Sequence, residues 1–303
     1  MNSQALGVAA LALTVAMWGM SGVAIKAVTA TGLVTALYRL WFAIPVLWLV
    51  MFWPGLKPRL DRRWLEASIV GGVLFGIHQI LYFTSLKLTS VVNVSLIGAL
   101  QPALVLLLAG RLFGERVTAR AVGWSLVALV GTIVVVLGSA HAPSWSLRGD
   151  LLAWVNLFAF TAYFLASKRF RVDVGAWEYV IGMTTVAGFV MLTANLATGQ
   201  DLTLPEGRDL VLLAAIAVFP GTLGHVLANW AHAHVTAFVS SMILLAVPVV
   251  ATAGAYAFLG ERFTLVQAAG GGVVLFSIAM LVLSTSGTTA AALAESTAES
   301  DVP

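Results

Sequence analysis

Polar side chains that could hold a small solute are spread thinly through long apolar stretches of this sequence. Several recur four or seven positions apart, a spacing that places two side chains on one face of a helix. The pairs are His78 with Tyr82, Asn156 with Tyr163, and His225 with Asn229, and Gln79, Asn93 and Gln101 lie at similar depth. Each could simply bond one helix to another. As a set they predict a polar site inside a helix bundle, because lipid offers such groups no hydrogen bonds.

Two larger side chains indicate what such a site could recognise. Arg39 lies six residues into the second apolar stretch. It either snorkels to the extracellular headgroups or faces the mouth of a cavity, where its charge would attract a carboxylate. Trp18 could stack on an aromatic or apolar part of a solute, although a packing or gating role explains it better.

Two prolines fall near the centres of apolar stretches, Pro102 in the fourth and Pro248 in the ninth. Proline inside a helix removes one hydrogen bond and frees a carbonyl, which a neighbour, water or a solute must satisfy. We expect these two positions either to kink their helices for packing or to line a cavity, and the sequence leaves both interpretations open.

The elements that position these residues are predicted to be helices in a membrane. Of the 303 residues, 60% are hydrophobic and 10% charged, and the mean hydropathy is +0.98. A soluble domain is about 25% charged, so this chain cannot cover a water-facing surface and is predicted to be a polytopic protein of the lipid bilayer. The basic residues are scattered, which argues against nucleic acid as a partner. The chain has no cysteine, which excludes disulfides and thiolate nucleophiles.

Ten apolar segments reach the length of about 20 residues that a spanning helix needs. They are 5–26, 33–53, 64–86, 92–112, 119–139, 149–168, 177–197, 210–231, 236–258 and 264–284. The even-numbered connections carry ten basic residues and the odd-numbered connections five. Because cytoplasmic loops retain an excess of Lys and Arg, both termini are predicted to be cytoplasmic.

The absence of certain residue types limits how movement of a solute through the bundle could be coupled to an energy source. No Asp or Glu lies in the middle of an apolar segment, so proton coupling would depend on His78 or His225, whose side chains titrate in the useful range. Without such coupling, any solute that crosses would move down its own gradient, and we favour this alternative. No Walker-type loop is present, so direct use of ATP is not expected. His225, His232 and His234 could suggest zinc, but no acidic residue lies near them, and we expect neither a metal nor a cofactor.

An internal repeat organises the chain. Gly114-Glu115-Arg116 recurs as Gly260-Glu261-Arg262, and the same offset of 146 positions relates Pro102 to Pro248. Lys26 and Lys168, 142 positions apart, each close an apolar run. Five segments per half is an odd number, so the halves must cross the membrane with opposite topology. Inverted repeats of this kind are typical of transporters with a site at the midplane.

The Trp18-Gly19 step, the early Arg39 and the two Pro…Gly-Glu-Arg blocks resemble the EamA branch of the drug/metabolite transporter superfamily. In the second half Phe160-Thr161 stands in place of Trp18-Gly19. The resemblance covers about residues 5–284. It implies ten helices in two inverted five-helix repeats, 5–140 and 148–284, and a carrier of small metabolites that often exports amino acids. The polar tail, 285–303, is predicted to be disordered.

The sequence therefore predicts an all-α secondary transporter of a bacterial plasma membrane and not an enzyme. It would export a small metabolite, plausibly an amino acid, by alternating access. An intramembrane enzyme or a channel-like pore is the alternative, for which His78 with Tyr82 and the isolated polar positions give little support. Glu115 and Glu261 are interpreted as determinants of topology and of the helical hairpins. The cluster Gly270-Gly271-Gly272 could mediate a homodimer, and otherwise we expect a monomer.

Overall fold

The computed structural model describes residues 3–53, 58–89, 94, 97–115, 117–138, 146–259 and 264–300. At residues 136, 252, 255–256, 258–259 and 284–300 it describes the backbone alone. Every regular element within the described ranges is helical. Asn93 and the second Gly-Glu-Arg block, Gly260-Glu261-Arg262, lie outside the described residues, as does Arg116.

The helices of the first half are α1 Ser3–Ala27, α2 Gly32–Met51, α3 Arg62–Leu88, α4 Gln101–Phe113 and α5 Ala119–Gly138. The second half contains α6 Leu147–Phe170, α7 Ala176–Ala197, α8 Gly207–Ile216, α9 Gly224–Ala231, α10 Ala237–Ile243, α11 Val247–Leu259 and α12 Leu265–Ser300. A π-helical segment, Ala217–Leu223, joins α8 to α9, and a 3₁₀ turn, Leu244–Ala246, joins α10 to α11.

Seven helical stretches of the described chain are long and apolar enough to cross a membrane. Three shorter apolar helices, Gln101–Phe113, Ala119–Val135 and Ala237–Ala251, occupy the remaining predicted segments. The protein is therefore an all-helical, multi-pass integral membrane protein. The number of crossings, ten, stays a prediction.

Glycines allow the closest helix contacts. A Cβ atom added at Gly72 or Gly76 of α3 would lie 2.5 or 2.9 Å from a valine side chain of α7. At Gly270 of α12 it would lie 3.0 Å from the backbone carbonyl oxygen of Gly131 in α5. These glycines bring the helix backbones together, as small residues do in membrane bundles. Gly270 is thus packed within the chain, and the dimer contact of the glycine cluster stays a prediction.

The expectation that Pro102 lies near the centre of a helix is wrong, whereas Pro248 lies near the middle of the helical run 237–259. Pro102 lies in the first turn of α4, behind the cap residue Leu100, and Pro248 is the second residue of α11, directly after the 3₁₀ turn. Proline is favoured in the first turn of a helix because the N–H that it lacks has no intrahelical acceptor there. The fourth predicted span is therefore interrupted just before Pro102, and the ninth changes to 3₁₀ geometry just before Pro248.

The last helix continues through Ser300 and so includes most of the segment 285–303, for which the composition predicts disorder. Its many alanines favour helical backbone intrinsically, and the disorder of this tail stays a prediction.

Candidate substrate cavity

A cavity of about 190 Å³ lies between the two halves of the chain. The first half lines it with α1, α2, α3 and α4. The second half lines it with α6, the π segment, α9 and the 3₁₀ turn between α10 and α11. Ten of the predicted site residues contribute to its wall: Trp18, Arg39, His78, Gln79, Tyr82, Gln101, Pro102, Asn156, His225 and Pro248. The geometry thus brings together residues from both repeats at one place.

Arg39 faces this cavity and does not snorkel. It is 5% exposed and lies in the second turn of α2. Its guanidinium donates a hydrogen bond to Oε1 of Gln79 and lies 5.6 and 5.8 Å from the ring centres of Phe75 and Phe83. Ion pairs in the described part of the chain join Arg63 to Glu66 and Asp173, so Arg39 has no carboxylate partner there.

His78 is fixed by an amide on the opposite repeat. Its Nδ1 lies 2.7 Å from Oδ1 of Asn156, and because an amide oxygen only accepts, Nδ1 carries the proton. The neutral ring then keeps Nε2 as an acceptor. The ring also packs against Phe160 and Tyr82, with centroids 4.8 and 5.7 Å away.

His225 lies between aromatic rings. Its centroid is 4.9 Å from that of Trp18 and 4.8 Å from that of Phe75, and its Nδ1 lies 3.4 Å from the hydroxyl of Tyr163. Asn229 donates to the same hydroxyl at 3.3 Å. Tyr163 and Asn229 therefore lie behind the wall of the cavity, where they hold His225, and they are not part of the lining.

Several lining residues are not among the candidates that the sequence predicts. Pro220 interrupts the hydrogen bonding of the π segment, and its carbonyl accepts from Nε1 of Trp18 at 3.1 Å. Phe160, the repeat counterpart of Trp18, reaches the same wall with its centroid 6.4 Å from that of Trp18. Ser21 and Ser241 also line the cavity. A proline inside an apolar run was a signal for Pro220, and the repeat offset of 146 positions that relates Ser95 to Ser241 was a signal for Ser241, whereas nothing in the sequence set Ser21 apart.

Gln101 supplies an unpaired donor. It is 2% exposed and lines the cavity at the first position of α4, and its Nε2 has no hydrogen-bond partner among the described residues. An unsatisfied buried donor costs about 1–3 kcal/mol, so this amide is suited to a group that enters the cavity.

Polar contacts join the two repeats at both ends of the bundle. At one end, here called the Glu115 end, the Glu115 carboxylate accepts from the N–H groups of Ala237 and Phe238, at 2.7 and 3.1 Å, and so caps α10. At the other, the Asp209 end, Asp209 accepts from the backbone N–H of Thr29 at 2.8 Å and from its hydroxyl. The Glu115 carboxylate thus joins the two repeats, a role beyond its expected place in a hairpin.

The Glu115 end also holds a half-buried lysine and a buried histidine. Lys168 donates to the carbonyls of His232 and Val235, at 2.7 and 2.6 Å. Just beyond α9, burial together with the charges of Lys168 and Arg171 lowers the pKa of His232 to about 3. This imidazole is therefore neutral at physiological pH. His225, His232 and His234 contact different partners, namely Tyr163, Ser167 and Trp230.

The sequence pattern of the EamA-like transporter family matches the chain twice, over residues 5–137 and 147–283. The chain belongs to the EamA-like transporter family. This confirms the resemblance seen in the sequence and shows a transporter rather than an enzyme.

Relatives of this EamA-like transporter include exporters and further transporters. It is 31% identical over 161 residues to the aromatic amino acid exporter YddG of Ancylobacter novellus, a match that covers 50% of this chain and 52% of that protein. It is 29% identical to an uncharacterized transporter of Archaeoglobus fulgidus over 90% of this chain and 97% of the other. A probable terminal-alkyne amino-acid exporter of Streptantibioticus cattleyicolor is 26% identical over 46% of this chain and 44% of its own length. A crystal structure with 20% identity superposes with a TM-score of 0.77 over 93% of this chain and 98% of that chain, which shows a shared fold.

Proposed function

We propose that this EamA-like transporter is a secondary carrier that exports an amino acid or a related small metabolite by alternating access. The observation that carries the proposal is the cavity between the repeats, which collects the buried polar groups of both halves. The names of two relatives, an aromatic amino acid exporter and a probable terminal-alkyne amino-acid exporter, support this class of solute.

Alternating access requires that each end of the cavity can open while the other stays closed. The Glu115 and Asp209 ends are held by a few hydrogen bonds between the repeats rather than by continuous backbone. The helix breaks at Gln101 and after Ala246 lie in the cavity wall. Discontinuous helices of this kind line the sites of other transporters built from repeats, so these breaks are suitable hinges.

The direction of helices supports an inverted arrangement. Gly7, near the start of α1, lies against Val235 at the Glu115 end, whereas Gly149, near the start of α6, lies against Thr89 at the Asp209 end. Helices α1 and α6 occupy equivalent places in the two repeats and therefore run in opposite directions. We infer that the Glu115 end is cytoplasmic and that the protein resides in the bacterial plasma membrane with both termini in the cytoplasm, because the connections at the Glu115 end carry the excess of basic residues.

Counterflow tests the transport function. Purified protein in liposomes preloaded with a panel of unlabelled amino acids and related metabolites should accumulate the matching radiolabelled solute transiently. Replacing Ser241 with Trp fills the cavity and should abolish this uptake, whereas Thr193→Trp, on an exposed face of α7, should retain it. Absence of counterflow for every solute, or equal rates in the two variants, would contradict the proposal.

A further inference from the structure

The charge of Arg39 lacks a counter-ion in the described part of the chain. The side chain is buried, and its described hydrogen bond goes to a neutral amide oxygen, that of Gln79. A charge buried in a membrane protein without a partner is expensive, and such residues commonly mark a solute pathway. A guanidinium presents five N–H donors, arranged to bind a planar carboxylate through two of them. Its remaining donors are therefore available to an anionic group.

Gln101 is a second, independent observation at the same cavity. Its Nε2 carries two hydrogens and has no acceptor in the part of the chain that the structure describes, although the residue is almost fully buried. Helix α4 begins at this residue, so the positive end of the helix lies at the cavity wall. Both groups offer N–H donors, so both call for an acceptor in the cavity.

The rest of the wall suits an apolar body. Trp18 and Phe160 present rings to the cavity, and no Asp or Glu is among the lining residues in the described chain. Ser21 and Ser241 each donate their hydroxyl to a backbone carbonyl, of Trp18 and Phe238. Their oxygen lone pairs are left free to accept, so an ammonium group is tolerated here without a salt bridge.

We propose that the cavity selects solutes that carry a carboxylate, which Arg39 and Gln101 bind together while an apolar or aromatic body packs against Trp18 and Phe160. This inference rests on the proposed function in that the cavity is taken to be the transport site. It predicts that neutral amino acids and simple aromatic or aliphatic carboxylates bind, and that amines and amides of the same shape do not.

A matched ligand series tests this selectivity by binding alone. Phenylalanine and 3-phenylpropionate carry the carboxylate, whereas phenylalaninamide and phenethylamine lack it, and leucine, 4-methylpentanoate, leucinamide and isopentylamine form a second set. The melting temperature of the full-length protein in detergent should rise with the carboxylates and stay unchanged with the others. A rise of equal size with the amides or amines, or no rise with any carboxylate, would overturn the inference.

Variants assign the effect to the two residues. Loss of a hydrogen bond to a charged group should weaken carboxylate binding about 10- to 100-fold in Arg39→Gln, and Gln101→Glu should do the same by repulsion. Arg39→Lys keeps the charge and should bind better than Arg39→Gln. Arg111→Gln, an exposed arginine of α4, is the matched control and should bind as the parent does. If Arg39→Gln does not fold, Gln101→Glu still decides, because unchanged carboxylate binding there would contradict the assignment.

The inference and the proposed function fail separately. If carboxylates stabilise the protein but no solute shows counterflow, the proposed carrier function is wrong and the inferred carboxylate site stands. If solutes that lack a carboxylate show counterflow and neither ligand series stabilises the protein, the carrier function stands and the inferred selectivity for carboxylates is wrong.

Discussion

At the scale of single residues, the two intramembrane histidines are each bonded to a neutral group. His78 contacts the amide of Asn156, and His225 contacts the phenol of Tyr163. Proton relays in pumps and transporters are chains of Asp, Glu and His side chains. Neither histidine has a carboxylate beside it among the described residues to continue such a chain. This arrangement favours a carrier that runs down the gradient of its solute.

Replacing the histidines tests that interpretation. His78→Gln keeps a donor for Asn156, and His225→Gln keeps a polar group beside Tyr163, so neither should prevent counterflow. A pH gradient imposed across liposomes should not drive uptake in the parent protein or in either variant. Uptake that follows the pH gradient in the parent and is lost in one variant would instead identify that histidine as the proton carrier.

At the scale of elements, side-chain carboxylates bond the two repeats to each other at both ends of the bundle: Glu115 at one end, and Asp209 together with Asp150, which accepts from the hydroxyl of Thr89, at the other. Neutralising Glu115 removes the charge that caps α10, and neutralising Asp209 weakens its bonds to Thr29. A hydrogen bond to a charged group contributes about 1.5–3 kcal/mol, which is enough to shift the balance between two open states by roughly tenfold or more. We expect Glu115→Gln to favour opening at the Glu115 end and Asp209→Asn to favour opening at the Asp209 end.

Cysteine labelling can report this shift because the chain has no native cysteine. With Ser21→Cys in the cavity wall as the reporter, Glu115→Gln should speed labelling by an impermeant thiol reagent added from the Glu115 side of oriented vesicles. Asp209→Asn should do so from the opposite side. Asp201→Asn is the control, since this carboxylate bonds within its own loop, to Thr203. Equal acceleration from both sides in either variant would indicate loosened packing and not a gate.

The sequence alone predicts where the helical segments lie but not where they are interrupted. Apolar length and charge placement predict the segments, because the bilayer imposes both. The π segment at Pro220 and the 3₁₀ turn before Pro248 depend on contacts with other helices, such as that of Trp18 with the carbonyl of Pro220. The direction of Arg39 also needed the structure, since snorkelling and burial are compatible with the same sequence. Likewise, the partners of Glu115 lie 122 and 123 positions away in the chain.

At the scale of the whole molecule, one contact occurs twice, at opposite ends. Lys26 donates to the carbonyl of Thr89 at the Asp209 end, and Lys168 donates to that of Val235 at the Glu115 end. The two lysines are 142 positions apart and the two acceptors 146, the offsets that relate the repeats in the sequence. The same local structure therefore serves both ends, which is what two inverted copies of one fold require.

This arrangement leaves one global property to be tested, the orientation of the bundle in the membrane. The connections at the Glu115 end carry more Lys and Arg, so this end should face the cytoplasm. Val172, 77% exposed between α6 and α7, lies at the Glu115 end, and Leu204, 48% exposed before α8, lies at the Asp209 end. In intact cells an impermeant maleimide should label Leu204→Cys and not Val172→Cys, and permeabilised cells should show both. The reverse pattern would mean that the basic residues do not set the topology, and the direction of export would then have to be argued from the Asp209 end as the cytoplasmic one.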